Sequence, residues 1–220
     1  GEDCVKYLRG MFAFAIWDSK KNALFLARDR LGKKPLYYTH FDGKFIFGSE
    51  IKSILQSEQV KREVNRQALY DFLTFQYVPG PRTMFKGIWK LQPGHTITVS
   101  KQGLQIKKYW EIQVSEEVND EGFAKQKVFD LLKESVEMRL VSEVPLGVYL
   151  SGGVDSSAIT AFMSSASDRP VNTFTVGFGH KTDEFEYAKI VADKFGTNHR
   201  EIMIEKKNKN TLPKILSHFD

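Results

Sequence analysis

The stretch "LGVYLSGGVDSSAIT", residues 146–160, decides how the second half of this chain is read. Its first five residues are apolar or small, as in a short buried strand, and its last residues carry apolar side chains at helical spacing. Between them stand Ser151, Gly152 and Gly153, so the order is strand, tight loop, helix. Loops at the carboxyl ends of the strands are where open α/β sheets bind ligands. Gly152 and Gly153 allow a sharp turn and a close approach of backbone to a bulky anion. The helix start offers unpaired N–H groups and partial positive charge. Ser151, Ser156 and Ser157 add hydroxyl donors of little bulk. Asp155 would repel a bare phosphate, but it fits if a divalent cation joins it to the phosphate oxygens. The plain alternative is a Gly-rich turn with serine caps, and the whole pattern S-G-G-x-D-S-S in this setting favours the phosphate loop. Neither G-x-x-x-x-G-K-[ST] nor G-x-G-x-x-G occurs in the chain.

Working outward, the rhythm around this loop is helix and strand in alternation. Val128, Leu131, Leu132 and Val136 have helical spacing, and residues 144–150 form a short apolar strand. The helix after the loop turns Ile159, Phe162 and Met163 inward. "NTFTVGF" (172–178) is a second strand and "HREIMIE" (199–205) a third. Residues 183–196 form a helix, with Gly196 as the stop; Asp183 either makes a capping pair with Glu186 or, with Glu184, faces the site at the end of the second strand, and the two readings stand equal. Alternating strands and helices predict a parallel sheet.

The first half reads differently. "MFAFAIW" (11–17) and "ALFLARD" (23–29) are strands split by a polar turn, and Asp42-Gly43 marks another hairpin. "VNRQALYDFLTFQY" (64–77) is a helix with Asn65 as N-cap and Leu69, Phe72 and Leu73 on one face. Residues 91–110 hold two more strands around Lys101-Gln102-Gly103. The expected fold is therefore an α+β, antiparallel, sheet-rich N-terminal part over 1–113, followed by an α/β parallel-sheet domain over 118–220. The acidic segment 114–122 is the predicted linker.

The 220 residues carry a net charge of +5. Residues 1–110 hold 19 Lys/Arg against 9 Asp/Glu, and residues 111–220 hold 13 against 18. The basic residues are scattered, without the aromatic interleaving of a nucleic-acid platform, so no nucleic-acid partner is expected. No apolar run approaches a membrane span, and no membrane partner is expected. The single cysteine excludes an intramolecular disulfide and suits a cytoplasmic protein. The chain starts at Gly1 and stops at "LSHFD", which reads as an internal fragment.

"SGGVDSS" resembles the pyrophosphate-binding loop of the N-type ATP pyrophosphatases. "RGMFAFAIWD", "LARDRLGKKPLYY", "FGSEIKSIL" and "PGPRTMFKGIWKLQPGH" resemble the glutamine-hydrolysing asparagine synthetases, in that family's order. The resemblance implies the end of an N-terminal-nucleophile (class II) glutamine amidotransferase domain, then the start of an ATP pyrophosphatase domain. It implies glutamine as ammonia source, and aspartate activated by ATP to β-aspartyl-AMP and then amidated. It assigns ATP and pyrophosphate binding to Leu150, Ser151, Gly152, Gly153, Asp155, Ser156, Ser157 and Val176, with Asp155 toward Mg²⁺. The family's glutaminase nucleophile is an N-terminal cysteine. Cys4 precedes a stretch late in that domain, so it is not the nucleophile, and no glutaminase residue is expected in this chain. A later Ser-Gly-[DE]-Gly-[AG]-Asp-Glu motif is also missing, so the chain by itself should be inactive. A homodimer is compatible with all of this. Three alternatives stay open: an amidotransferase of the same build using another carboxylic acid, a tRNA-modifying ATP pyrophosphatase, and a scaffold that has lost its chemistry.

Overall fold

A computed structural model describes residues 1–114, 120–204 and 212–218. The chain divides into two compact units, Gly1–Val114 with Leu216–Asp220, and Ser115–Ile215.

The first unit is built on antiparallel hairpins. Strand β1 (Ala13–Asp18) pairs with β2 (Ala23–Arg28), β2 with β6 (His95–Ser100), and β6 with β7 (Gly103–Lys108). A second antiparallel sheet has the order β4 (Lys44–Gly48), β3 (Tyr37–Phe41), β5 (Trp89–Lys90). Strand β2 is apolar at nearly every position because both of its faces are covered. Leu26 joins Leu36, Tyr38, Leu91 and Ile97 on one side, while Phe25 and Ala27 join Val5 on the other. The β3–β4 turn has Asp42 at φ 46° and Gly43 at φ 71°, the two left-handed positions that a tight two-residue hairpin requires. Ile51 and Ile54 of the short helix α1 (Ile51–Ile54) close a third cluster with Val60 and Ile88.

Helix α2 (Arg66–Phe75) starts at Asn65, whose side chain accepts the N–H of Ala68. Its apolar face differs from the expected one. Leu69, Phe72 and Leu73 are exposed, Leu73 at 74%, while Ala68 and Asp71 are buried. Ala68 allows close packing, and Asp71 is satisfied by Gln67 Nε2 at 2.8 Å.

The second unit is the parallel one, with strand order β10 (Asn198–Met203), β9 (Asn172–Gly177), β8 (Gly147–Tyr149). Helix α3 (Glu121–Glu137) is N-capped by Asp120, so the last residues of the expected linker belong to a helix start. Residues 115–119 of that linker lie outside the described residues, as does Glu205 of the third expected strand. Helices α4 (Val154–Ser165) and α5 (Phe185–Phe195) follow β8 and β9, and a short helix, α6 (Leu212–His218), comes last. Strand β8 is shorter than expected, although Leu150 continues its pairing by donating to Phe174 O at 2.8 Å.

Alternation along β8 and β9 sorts the two faces of this sheet. Val148 packs with Val136, Met163 and Val171, and Leu150 with Ala188 and Ala192, so helices cover that face. Tyr149 points the other way and is exposed. On α4, the buried residues are Thr160 and Met163, whereas Ile159 is exposed. Thr160 is inside because its Oγ1 donates to Ser156 O at 2.8 Å, which removes the cost of burying a hydroxyl. No helix among the described residues is long and apolar enough to cross a membrane.

Candidate nucleotide site

Leu150 ends the strand and the loop begins at once. Its side chain is 1% exposed against Ala188 and Ala192. Its N–H is held by Phe174 O, and its carbonyl accepts Thr175 Oγ1 at 2.5 Å. Leu150 therefore seats the loop from below, and a direct nucleotide contact would need it uncovered. Val176 is half-buried and points to the opposite face of the sheet from Thr175. The structure thus does not bring these two side chains to one spot.

The other residues of the motif do come together. Gly152 has φ +78°, and a Cβ there would lie 2.5 Å from the backbone carbonyl carbon of Tyr187 on α5. Both the left-handed conformation and the close approach exclude a side chain. Gly153 is different: its φ of −69° suits any residue, so its lack of a Cβ serves space beside the Ser151 hydroxyl rather than the turn. Ser151 Oγ and Ser156 Oγ lie 3.0 Å apart; Gly153 N–H donates to Ser151 Oγ at 3.3 Å, and Ser151 N–H donates to Ser156 Oγ at 3.3 Å. This small network holds the loop in one shape.

The first rung of α4 is Ser157 N–H to Gly153 O at 3.0 Å. The N–H groups of Val154, Asp155 and Ser156 precede that ladder and form the helix's positive end. Ser157 Oγ is buried and has no hydrogen-bond partner among the described residues. An unpaired hydroxyl beside free helix-start donors fits a phosphate oxygen. Asp155 is exposed on the first turn, without a protein partner among the described residues, and fits an acid that meets a cation from solvent.

Asp183 departs from the capping role. It does not cap α5, whose N-cap is Glu184 and carries no side-chain cap bond. Its Oδ2 instead accepts N–H from Gly179 at 2.8 Å, His180 at 3.0 Å and Phe178 at 3.1 Å. Burial pushes its carboxyl up, but the N–H groups of Phe178, His180 and Gly179 outweigh this and hold it below the usual range. Glycine at 179 with an acid four residues on is a local signal for such a loop, and it competes with the capping pattern. At the far end of the helix the expected stop holds, with Gly196 in the left-handed conformation.

Cys4 sits in a short 3₁₀ turn, Glu2–Lys6, half-buried against the cluster of Val5, Phe25 and Ala27. The "LARDRLGKKP" block, which carried no local reading, proves to be a polar clip. Asp29 accepts backbone N–H from Lys33 and Lys34, each at 2.9 Å, and from Leu31 at 3.2 Å and Phe12 at 3.3 Å. Arg28 donates to the carbonyls of Lys34, Leu91 and Gly32. Burial lowers the Arg28 pKa, while Asp29 next to it and Tyr37 act in the opposite sense.

Comparison with known proteins assigns this chain to a family. Residues 1–110 match the glutamine amidotransferase domain, and residues 127–220 match asparagine synthase. Asparagine synthetase [glutamine-hydrolyzing] 3 of Bacillus subtilis is 37% identical, over 94% of this chain and 36% of its own length. Asparagine synthetase [glutamine-hydrolyzing] 1 of the same organism is 35% identical, over 100% and 35%. Amidase chry2 of Gibberella zeae is 31% identical, over 90% and 32%. The chain belongs to the glutamine-hydrolysing asparagine synthetase family. It spans about a third of the length of these curated relatives. Among solved structures, the glutamine phosphoribosylpyrophosphate amidotransferase from B. subtilis aligns over 91% of this chain and 34% of its own at 13% identity, with a TM-score of 0.31, too slight a likeness to define a fold.

Proposed function

We propose that the protein is a glutamine-hydrolysing asparagine synthetase, a carbon–nitrogen ligase with glutamine as amido donor. In this reading residues 1–113 are the later part of a class II glutamine amidotransferase domain. Residues 118–220 are the first part of the ATP pyrophosphatase domain. The observation that carries the reading is the serine–glycine loop at the start of α4, with its open N–H groups, the unpaired Ser157 hydroxyl and the exposed Asp155. It stands in one chain with a matching amidotransferase domain.

The chemistry follows from what such a site can do. A carboxylate is a poor acceptor for ammonia because its oxygen is a poor leaving group. An oxygen of the aspartate side chain attacks the α-phosphorus of ATP, the bond to the bridging oxygen breaks, and pyrophosphate departs. Ammonia then adds to the acyl carbon of β-aspartyl-AMP, loses a proton, and AMP leaves to give asparagine. Charge builds on the departing pyrophosphate. In this reading Ser151, Ser156, Ser157 and the N–H groups after Gly153 receive it, and the hydrogen bonds that hold the loop in one shape support that role. Mg²⁺, held by Asp155, would neutralise further negative charge on the same group. Leu150 and Gly152 set the height of the loop, and Val176 with its neighbours borders the base. Cys4 takes no part in glutamine hydrolysis.

ATP–pyrophosphate exchange by the full-length enzyme tests the reading. The expected result is exchange that requires aspartate and is lost in Asp155→Ala. Exchange with a different carboxylic acid, and none with aspartate, would retain the adenylation chemistry and replace the acceptor. The absence of exchange with any acid, with glutamine or ammonia supplied, would overturn the assignment.

A further inference from the structure

The N-terminal turn of α5 touches both sides of the candidate site. At its start, Asp183 gathers three successive backbone N–H groups, those of Phe178, Gly179 and His180, around one carboxylate oxygen. Successive N–H groups turned inward make an anion-binding nest, and Gly179 at φ +73° supplies the left-handed residue such a nest needs. Here the anion is the protein's own. One residue before the nest, Gly177 ends β9. A Cβ at Gly177 would lie 2.3 Å from the Phe185 ring and 2.8 Å from Asp183 Oδ2. Strand end, nest and helix start are therefore one tight knot, immediately after Val176.

The same helix turn reaches the phosphate side. The Tyr187 backbone lies against Gly152, closely enough that no side chain fits between them. The next residue, Ala188, and Ala192 one turn beyond it pack on Leu150 directly under the loop. Asp183 thus fixes the entry of α5, and α5 supports the serine–glycine loop. The two acids near this end of the sheet differ in use: Asp155 is exposed without a protein partner among the described residues, whereas Asp183 is engaged by three backbone N–H groups.

Resting on the nucleotide reading above, we infer that Asp183 is a positioning residue for ATP, locking the β9–α5 loop so that the base-side strand end and the pyrophosphate loop keep one fixed spacing. Its effect is exerted through Val176 and Gly152 rather than by contact with the nucleotide. A short carboxylate is needed: asparagine offers one oxygen and no charge, and alanine leaves the nest empty.

The test is aspartate-dependent ATP–pyrophosphate exchange by the full-length enzyme carrying Asp183→Ala or Asp183→Asn. The expected result for Asp183→Ala is a KM for ATP raised about 10-fold or more, with kcat within about threefold. Formate, a small carboxylate that can refill the nest, should lower that KM again, while leaving the wild-type enzyme unaffected. Asp183→Asn should fall between wild type and alanine, and it carries the test if the alanine variant fails to fold. An unchanged KM for ATP in both variants would overturn the inference. So would a loss confined to kcat, or a raised KM that formate does not relieve. If the wild-type enzyme shows no exchange, the proposed function fails first. Direct titration of ATP onto wild type and Asp183→Ala then decides the positioning role by itself: weaker binding relieved by formate supports it, and equal binding removes it.

Discussion

At the scale of single residues, the two glycines of the loop are not equivalent. Gly152 combines φ +78° with backbone contact to Tyr187, whereas Gly153 has an ordinary φ and only a hydroxyl nearby. Gly152→Ala should therefore destabilise by about 2–4 kcal/mol, from left-handed strain plus overpacking. Gly153→Ala should cost under about 1 kcal/mol. Urea unfolding of the two variants measures the difference, and equal effects would contradict the geometry. Asp29 is the other decisive residue. It is 1% exposed, and although burial raises its pKa, the N–H groups of Lys34, Lys33, Phe12 and Leu31 bring it below the usual carboxylate value. The sign is that of a depressed acid. Its contribution to stability is present above the unfolded pKa and is lost as pH falls through the lower folded value. Stability measured as a function of pH should fall toward acid in wild type, and less steeply in Asp29→Asn. At neutral pH that variant should be weaker by on the order of 3 kcal/mol. These two residues also mark a limit of local reading. A glycine pair and an Arg-Asp pair are visible in the string, but which glycine is strained, and which backbone groups an aspartate gathers, depend on chain that arrives from elsewhere.

At the scale of elements, the most legible features were those made within a few residues. The Asp42-Gly43 turn, the Asn65 cap and the Gly196 stop all formed because each needs only neighbouring backbone. Asn65→Ala should cost about 1 kcal/mol, since the Ala68 N–H loses its acceptor. Thermal unfolding checks this, and a neutral result would mean that water replaces the cap fully. The helix faces were less legible. Leu69, Phe72 and Leu73 have the spacing of a core face on α2 yet are exposed, and Ile159 on α4 gives way to Thr160. Periodicity identifies a helix. The side it buries is chosen by what lies opposite, and a threonine that bonds its own helix backbone can be chosen as readily as an isoleucine. Asp183 shows the same competition: the capping pattern with Glu186 is satisfied in sequence, but three N–H groups on one nest offer a carboxylate more than a single cap does.

At the scale of the molecule, the two units have distinct constructions, antiparallel hairpins in one and a parallel three-stranded sheet in the other. If the serine–glycine loop binds ATP as proposed, the nucleotide stabilises the folded state by linkage. At an ATP concentration of 100 times Kd, with Mg²⁺ present, the full-length enzyme should gain about 2.7 kcal/mol. A chelator should remove most of that gain, and Asp155→Ala should show little of it. A thermal shift unaffected by chelation would argue against a cation at Asp155. What the sequence by itself determined was the order of strands and helices, the change of rhythm between the halves, and the tight loop between β8 and α4. These rest on hydrophobic period and on residue types whose backbone preferences are local. What only the tertiary structure decided was that Leu150 is a buried seat, that Gly152 is pinned by Tyr187, that Asp183 closes a nest, and that Ser157 keeps an unpaired hydroxyl. Each of these depends on residues brought together by the folded chain, and a hydrogen bond or a steric contact exists only once that chain has set the distance.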